Sequence, residues 1–493
     1  MMYIGSQTLM KEYDQALLNH GYTIEELVDK ASDCLVKHFV DLDKICIVCG
    51  IGNNGADGYS LAEKLYDLHK DIYLVVVGDL EKFSQAALFY YQRCVNKEIE
   101  FDHISFEIFD SVINKMKDYD VIVDAMFGFG LHSSPRGIYQ SVIEEINQFY
   151  DKEIIAVDIP TGLDCNSGVP YQSVICATKT ISFCALKNGF LNPDSSAFTG
   201  EVFVEMLDTV DLREKVGLYQ LIEEEDIRAI LKERVFDGHK GTYGRILSIT
   251  GSSQYKGAAL MNVKASVYSG SGVVTLMSDE DVNMALSQFC PEATSIVRPP
   301  MLRKEDFNKY QSILIGCGIG LGLDAYRYVN DVLSLSHQPL IIDADGLTIL
   351  AENLDVLSKQ HRPIILTPHM GEMKRMMDID EKDDLLKKVQ MFAKEYHVIL
   401  VLKGPYTMIS DGIHSYRIYS GNRAMAVGGM GDTLAGMINS FVGQGYEPID
   451  AVVLAVYLHG YCGDILAEKS YTVIPSKLID AIPFAMKRLL KNR

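Results

Sequence analysis

The chain has 493 residues, more than one hydrophobic core usually serves, so at least two domains are expected. It is 48% hydrophobic and 23% charged, an ordinary globular composition that excludes a disordered chain. The formal net charge of −20 excludes broad binding to nucleic acid or to an anionic membrane, so a phosphate ligand must be held by local devices: backbone amides, a helix N-terminus or a single lysine. The ten cysteines are scattered through a long chain and form no disulfide framework. Residues 1–14 carry no apolar leader and no apolar stretch approaches a membrane span, which makes the cytoplasm the expected location.

Taken in chain order, short β-rich runs alternate with helical patterns, the signature of βα units around parallel sheets and hence of an α/β protein. In the first part the strand candidates are 45–49, 72–77, 121–124, 154–158, 180–185 and 202–206. Most are continuous apolar runs, as expected where helices cover both sheet faces. Cys46 and Cys49 lie in the first of them, three apart, which puts them on opposite faces and argues against a redox pair. Residues 207–226 are charged and lack a strong strand signal, so the domain boundary is expected near 210–222. Strand candidates resume at 246–250, 273–277, 313–315, 340–343, 364–366 and 398–402.

The first strand runs into Gly50-Ile-Gly-Asn-Asn-Gly-Ala-Asp-Gly58, followed by a helix with Leu61, Ala62, Leu65 and Leu68 on one face. Strand, glycine loop and helix N-terminus in that order make an anion-binding device. Two more strand ends carry polar groups: Asp124 precedes Phe127-Gly-Phe-Gly130, and Asp158 precedes Ile159-Pro-Thr-Gly-Leu-Asp164. Ligands of open α/β sheets bind beyond the carboxyl ends of strands, where all three loops fall. Each aspartate alone would read as a helix cap; three loops at one sheet edge favour a site.

Together these motifs resemble the epimerase domain of the NAD(P)H-hydrate repair family, which interconverts the R and S epimers of hydrated NADH and NADPH. The resemblance implies a Rossmann-like three-layer α/β sandwich over 1–213. It also implies contacts to the hydrated dinucleotide from Asn53, Asn54, Gly55, Ala56, Asp57, Gly128, Phe129, Gly130, Leu131, His132, Ser133, Ser134 and Tyr139. Asp158 would be the acid/base, accompanied by Lys187, and Asn54, Asp124 and Thr161 would hold a potassium ion through oxygen donors.

The second part opens with His239-Lys-Gly-Thr-Tyr-Gly-Arg245 and a strand, then Gly251-Ser-Ser-Gln-Tyr-Lys-Gly-Ala258 before a helix. Ile315-Gly-Cys-Gly-Ile-Gly-Leu-Gly322 carries more glycines than a turn needs, as close backbone approach to a ligand would require. Gly421-Asn-Arg-Ala-Met-Ala-Val-Gly-Gly-Met-Gly-Asp432 leads into a helix with Leu434, Met437, Ile438 and Phe441 on one face. Free amides at that helix start can hold an incoming phosphate, and Asp432 can take a proton from the attacking hydroxyl, the two requirements of phosphoryl transfer. Cys317, Pro405 and Met430 occupy slots with no assigned chemistry.

Gly-Met-Gly-Asp resembles the anion hole of the ribokinase-like superfamily. With Asp343-Ala-Asp-Gly346, Leu366-Thr-Pro-His-Met-Gly-Glu372 and Lys403-Gly-Pro-Tyr-Thr407, the region 222–493 resembles the ADP-dependent NAD(P)H-hydrate dehydratase. That resemblance implies substrate contacts from Ala258, Gly320, His369 and Asp432, and adenine-nucleotide contacts from Lys403, Gly404, Pro405, Tyr406, Thr407 and Gly431. ADP would be the co-substrate, AMP and phosphate the products, and magnesium would screen the phosphates. The implied partners are hydrated NADH or NADPH and ADP, with no nucleic acid, no membrane and a homo-oligomeric state. The alternative is a ribokinase-like small-molecule kinase fused to a dinucleotide-binding module.

Overall fold

Each of the twelve strand candidates coincides, within two residues at either end, with a strand in the computed structural model, which describes residues 1–380 and 383–491. The chain divides into two compact units, Met1–Leu218 and Tyr219–Arg493.

In the first unit the strands are β1 (Met2–Gly5), β2 (Lys44–Cys49), β3 (Asp71–Val76), β4 (Glu100–His103), β5 (Val121–Ala125), β6 (Glu153–Val157), β7 (Lys179–Phe183), β8 (Leu186–Lys187) and β9 (Glu201–Glu205). Seven of them form one sheet in the order β4-β3-β2-β5-β6-β7-β9, and every pairing in it is parallel. Helices Ile24–Val36, Asn53–Asp67 and Gln85–Asn96 cover one face through Leu35, Tyr59, Leu65 and Tyr90. Helices Phe109–Met116 and Ile138–Ile146 cover the other through Ile113, Met116 and Ile143, which makes the expected three-layer sandwich. Cys49 packs on the first face and Cys46 on the second, and neither is bonded. The order reverses between β2 and β5, so the loops after these strands flank the switch point where such sheets take their ligands.

The second unit contains β10 (Tyr219–Leu221), β11 (Arg245–Ile249), β12 (Val273–Ser278), β13 (Thr294–Val297), β14 (Ser312–Ile315), β15 (Leu340–Ile342), β16 (Ile364–Leu366), β17 (Ile399–Leu402), β18 (Thr407–Ser410) and β19 (Ser415–Ile418). They run in the order β13-β12-β11-β14-β15-β16-β17-β18-β19-β10, parallel from β13 to β17 and antiparallel around the β17-β18-β19 turn-backs. β10 and Arg213–Val216, a single helical turn, fall in the charged stretch read as lacking a strong strand signal; elements of three and four residues are too short to show a period.

Helix Pro448–Ala467 corrects a second expectation. It is long and apolar enough to cross a membrane, with a mean hydropathy of 1.4 over a window that is 61% buried within the protein. Its residues Val452, Val453, Leu454 and Leu458 join Leu434 and Phe441 of helix Met430–Gly443 and Leu478 and Ile482 of helix Pro475–Lys491 in the main core of the unit. A helix apolar on all sides is the mark of burial among other helices as much as of a membrane.

Candidate functional site

In the first unit, helix Asn53–Asp67 starts at Gly52 with no side-chain cap, so its first amides face outward. The helix lies tight against the sheet because its contacts are glycines: a Cβ on Gly55 would stand 2.1 Å from the Gly50 carbonyl oxygen, and one on Gly50 2.0 Å from that of Met126. Beyond these strand ends opens a cavity of about 710 Å³ whose wall includes Asn53, Asn54, Asp57, Gly128, Phe129, Gly130, Leu131, His132, Ser133 and Asp158. Gly55 and Ala56 are buried and, like Ser134 and Tyr139, lie outside that wall. Tyr139 instead packs on Phe127 and donates from Oη to the Val77 carbonyl at 2.9 Å.

Asp158 adopts a left-handed backbone, φ 67°, a costly conformation for a residue with a Cβ and one that collects at functional sites. Its Oδ1 is 2.5 Å from Nζ of Lys187, which is completely buried and also donates to Ser182 Oγ at 2.9 Å. An ion pair this deep is held by geometry and hydrogen bonds, since its charges have left water. Asp57 is pushed well above the carboxylate range, by burial first and then by the charges of Asp158 and Asp14. Asp14, on helix Gln7–Asn19, also lines the cavity; no motif surrounds it, and its place beside Asp158 arises only in the fold.

Asp124 and Thr161 meet behind the cavity. Thr161 donates to Asp124 from N and from Oγ1, both at 2.7 Å, and Met126 N adds a third bond at 3.1 Å. Burial pushes the Asp124 carboxyl up to about 6, against the pull of those bonds. Asn54 borders Gly128, and its buried Nδ2 has no hydrogen-bond partner among the described residues. An amide flip exchanges that nitrogen for oxygen, so the three residues fit an oxygen-donor set for a hard monovalent cation.

In the second unit the anion-site helix Met430–Gly443 begins at Gly429, φ 91°, again with no side-chain cap. Asp343, at the end of β15, is the hub beside it: Lys403 Nζ donates to its Oδ1 at 2.8 Å, Thr367 Oγ1 at 2.7 Å, and Cys317 Sγ donates to Oδ2 at 3.4 Å. Burial alone would raise this carboxyl, but Lys403, Thr367 and Cys317 together bring it below its ordinary value. One ligand atom from each of Cys317, Asp343 and Asp432 falls within 4.8 Å of the others. Cys317, read as carrying no chemistry, therefore sits against both carboxylates, and the thiol's burial pushes its own pKa well up so that it stays a donor. Asp432 is pushed up to about 6, by burial first and then by Asp343, with Cys317 and Lys403 pulling the other way.

Gly316, Gly318 and Gly320 all have positive φ; Gly320 has no atom within 4 Å of a Cβ position, and its N–H donates to Asp345 Oδ2 at 2.8 Å. Ala258 borders Gly318 on the facing helix. His369 caps helix Met370–Met376, accepting at Nδ1 from Gly371 N at 2.9 Å and Glu372 N at 3.2 Å, which leaves the proton on Nε2, 3.6 Å from Glu372 Oε1. It is bridged through the backbone to Lys403, and Gly404 and Pro405 follow as an exposed turn before Tyr406 and Thr407. Gly431 brings its backbone within reach of Lys403: a Cβ there would lie 3.3 Å from Nζ.

Two α/β units, each with uncapped helix amides at its strand ends and a buried aspartate beside a lysine, define a two-site nucleotide-handling enzyme. Residues 246–484 match the NAD(P)H-hydrate dehydratase family and residues 23–189 the family described as YjeF-related protein N-terminus. A bifunctional NAD(P)H-hydrate repair enzyme of Thermofilum pendens is 31% identical over 475 residues, covering 92% of this chain and 90% of that one. An ADP-dependent (S)-NAD(P)H-hydrate dehydratase of Staphylococcus aureus is 37% identical over 52% of this chain and 94% of its own. Among solved structures, a ribokinase-like superfamily protein from Enterococcus faecalis superposes with a TM-score of 0.51 at 30% identity, covering 57% of this chain and 99% of that one. The chain belongs to the bifunctional NAD(P)H-hydrate repair enzyme family.

Proposed function

We infer that the chain repairs hydrated NADH and NADPH: it epimerises the R and S hydrates and dehydrates the S form at the expense of ADP. The observation that carries this reading is the family match along both units, with an aspartate at the start of an uncapped, glycine-led helix in the second. We assign epimerisation to Met1–Leu218 and dehydration to Tyr219–Arg493.

In the second unit Asp432 takes the proton of the ring hydroxyl as it attacks the β-phosphoryl of ADP. Amides of the helix start and Lys403 hold the phosphoryl oxygens, and AMP leaves. The ring nitrogen's electron pair then expels phosphate from the ester, and loss of a ring proton restores the reduced nicotinamide. Oxygens of Asp343 and Asp432 would hold a magnesium ion, which would screen the phosphate charges; Cys317 offers sulfur, a poor donor for that ion. Ala258, Gly320 and His369 face the substrate, and Lys403, Gly404, Pro405, Tyr406, Thr407 and Gly431 face the nucleotide. In the first unit Asp158 is the acid/base, oriented by Lys187; Asn54, Asp124 and Thr161 would hold a potassium ion, which would tie together the loops that carry them.

The net charge of −20 keeps nucleic acid and membranes outside this reading, and ten unbonded cysteines, nine of them buried, suit a reducing cytoplasm. Assembly as a homo-oligomer is tested by light scattering. Product analysis separates dehydratase from kinase. Equal yields of reduced cofactor, AMP and free phosphate support dehydration, whereas a stable phosphorylated product without free phosphate overturns it.

A further inference from the structure

Helix Pro448–Ala467 of the second unit, otherwise packed with apolar side chains, carries three residues that its own stability does not ask for. Gly460, Gly463 and Asp464 lie three and four positions apart and so share one face. Glycine weakens a helix interior, and a carboxylate in the last turn opposes the helix dipole. The loop packed on that face accounts for all three. A Cβ on Gly460 would stand 2.3 Å from the Ser420 carbonyl oxygen, and one on Gly463 2.1 Å from Met425 Sδ. Asp464 Oδ2 accepts from Gly421 N at 2.9 Å, and its Oδ1 accepts from Asn422 Nδ2 at 2.7 Å. Asn422 passes the hold along: its Oδ1 accepts from Ala424 N at 3.0 Å, and the Ala424 carbonyl accepts from Val473 N at 2.9 Å. Ser420 Oγ adds a bond to the Tyr457 carbonyl of the same helix at 3.1 Å.

The loop held in this way, residues 420–429, runs directly into the uncapped start of helix Met430–Gly443. We propose that Asp464 is a positioning residue of the second site: by tying Gly421 and Asn422 to helix Pro448–Ala467 it fixes the loop that sets the amides of Gly428–Gly431 against the transferring phosphoryl group. The proposal rests on the dehydratase reading of the second unit.

Asp464 touches no reacting atom in this reading. Amides at a helix start stabilise a phosphoryl group only when held where its oxygens stand in the transition state, and a displacement of about 1 Å is enough to lose much of the effect. The loop has little stiffness of its own, because Gly421, Gly428 and Gly429 are three of its ten residues, and Gly421 and Gly429 have φ of 105° and 91°. Stiffness comes from what the loop leans on. At its far end Gly429 backs onto Pro475, whose Cγ would lie 3.2 Å from a Cβ there. At its near end the Asp464 carboxyl holds one backbone and one side-chain N–H at once, a stronger grip than a neutral acceptor gives.

The test compares wild type, D464N, D464A, N422A and the double variant D464A/N422A in the full chain. Hydrogen–deuterium exchange without ligand reads the loop itself: residues 420–429 should exchange faster in D464A than in wild type while β14 and β15 stay protected. With S-hydrated NADH and ADP, D464A is expected to lose on the order of 10- to 100-fold in kcat with the KM for the hydrate nearly unchanged. D464N keeps one acceptor oxygen and should recover part of that loss; being isosteric, it carries the same comparison if D464A unfolds. The double variant should lose little more than D464A alone, because both residues act through one contact. Wild-type kcat in D464A, unaltered exchange of the loop, or losses that multiply in the double variant overturn the proposal. A wild-type chain that returns no reduced nicotinamide with ADP fails the dehydratase reading instead, and the exchange of the loop still decides whether Asp464 holds it.

Discussion

At the scale of single groups, Asp432 and Cys317 lie close enough in the second site to set each other's protonation. If Asp432 is the base, as proposed, a carboxyl near 6 should make dehydration rise with pH through about 6 and level above it. Cys317 lowers that carboxyl by hydrogen bonding, so C317A should shift the acid limb to higher pH; an unmoved limb shows the thiol to be filler. D432N should lose about 100-fold or more in dehydration while gaining thermal stability near neutrality. The sign follows from linkage. A carboxyl raised above its ordinary value of 3.8 is favoured in the fold as the acid, and that stability is complete below 3.8 and lost as pH rises through about 6. The neutral amide avoids this loss, and a lower melting temperature for D432N at neutral pH would contradict it. In the first site K187M strands the Asp158 charge. Calorimetry should find it destabilised by about 3–5 kcal/mol, the usual cost of halving a buried pair.

At the scale of elements, the two anion-site helices depend on missing side chains. A Cβ on Gly436 would stand 2.2 Å from the Asn262 carbonyl oxygen, so G436A must separate helix Met430–Gly443 from helix Lys256–Tyr268. Denaturant unfolding should show a loss of about 1–3 kcal/mol, and dehydration should fall with it; unchanged stability would mean the helices are free to move apart. Elements were legible in the sequence where burial made them periodic or continuously apolar, as for β2, β5 and β14. Seven strands were not. β4, Glu-Phe-Asp-His, is a polar edge strand, β8 has two residues, and β13 is largely exposed. The hairpin of β18 and β19 did carry a signal, Asp411-Gly412 with φ 87° at the glycine, between runs too short to call attention. Candidate site residues were legible where they lay in glycine motifs at strand ends. The place of Asp14 in the first cavity's wall was not, because a helix position gains meaning only from what packs across from it.

At the scale of the molecule, one chain joins a site for interconverting epimers to a site that consumes one of them. If Asp158 and Asp432 act as proposed, substituting either should leave the other reaction intact, because each sits in its own compact unit. The most direct test gives the chain pure R-hydrated NADH or pure S-hydrated NADH with ADP and follows the return of reduced-nicotinamide absorbance. Wild type should recover both, D158N the S form at the wild-type rate and the R form only as fast as the buffer converts it, and D432N neither. Recovery of neither epimer by wild type, or equal recovery of both by D158N, would contradict the account.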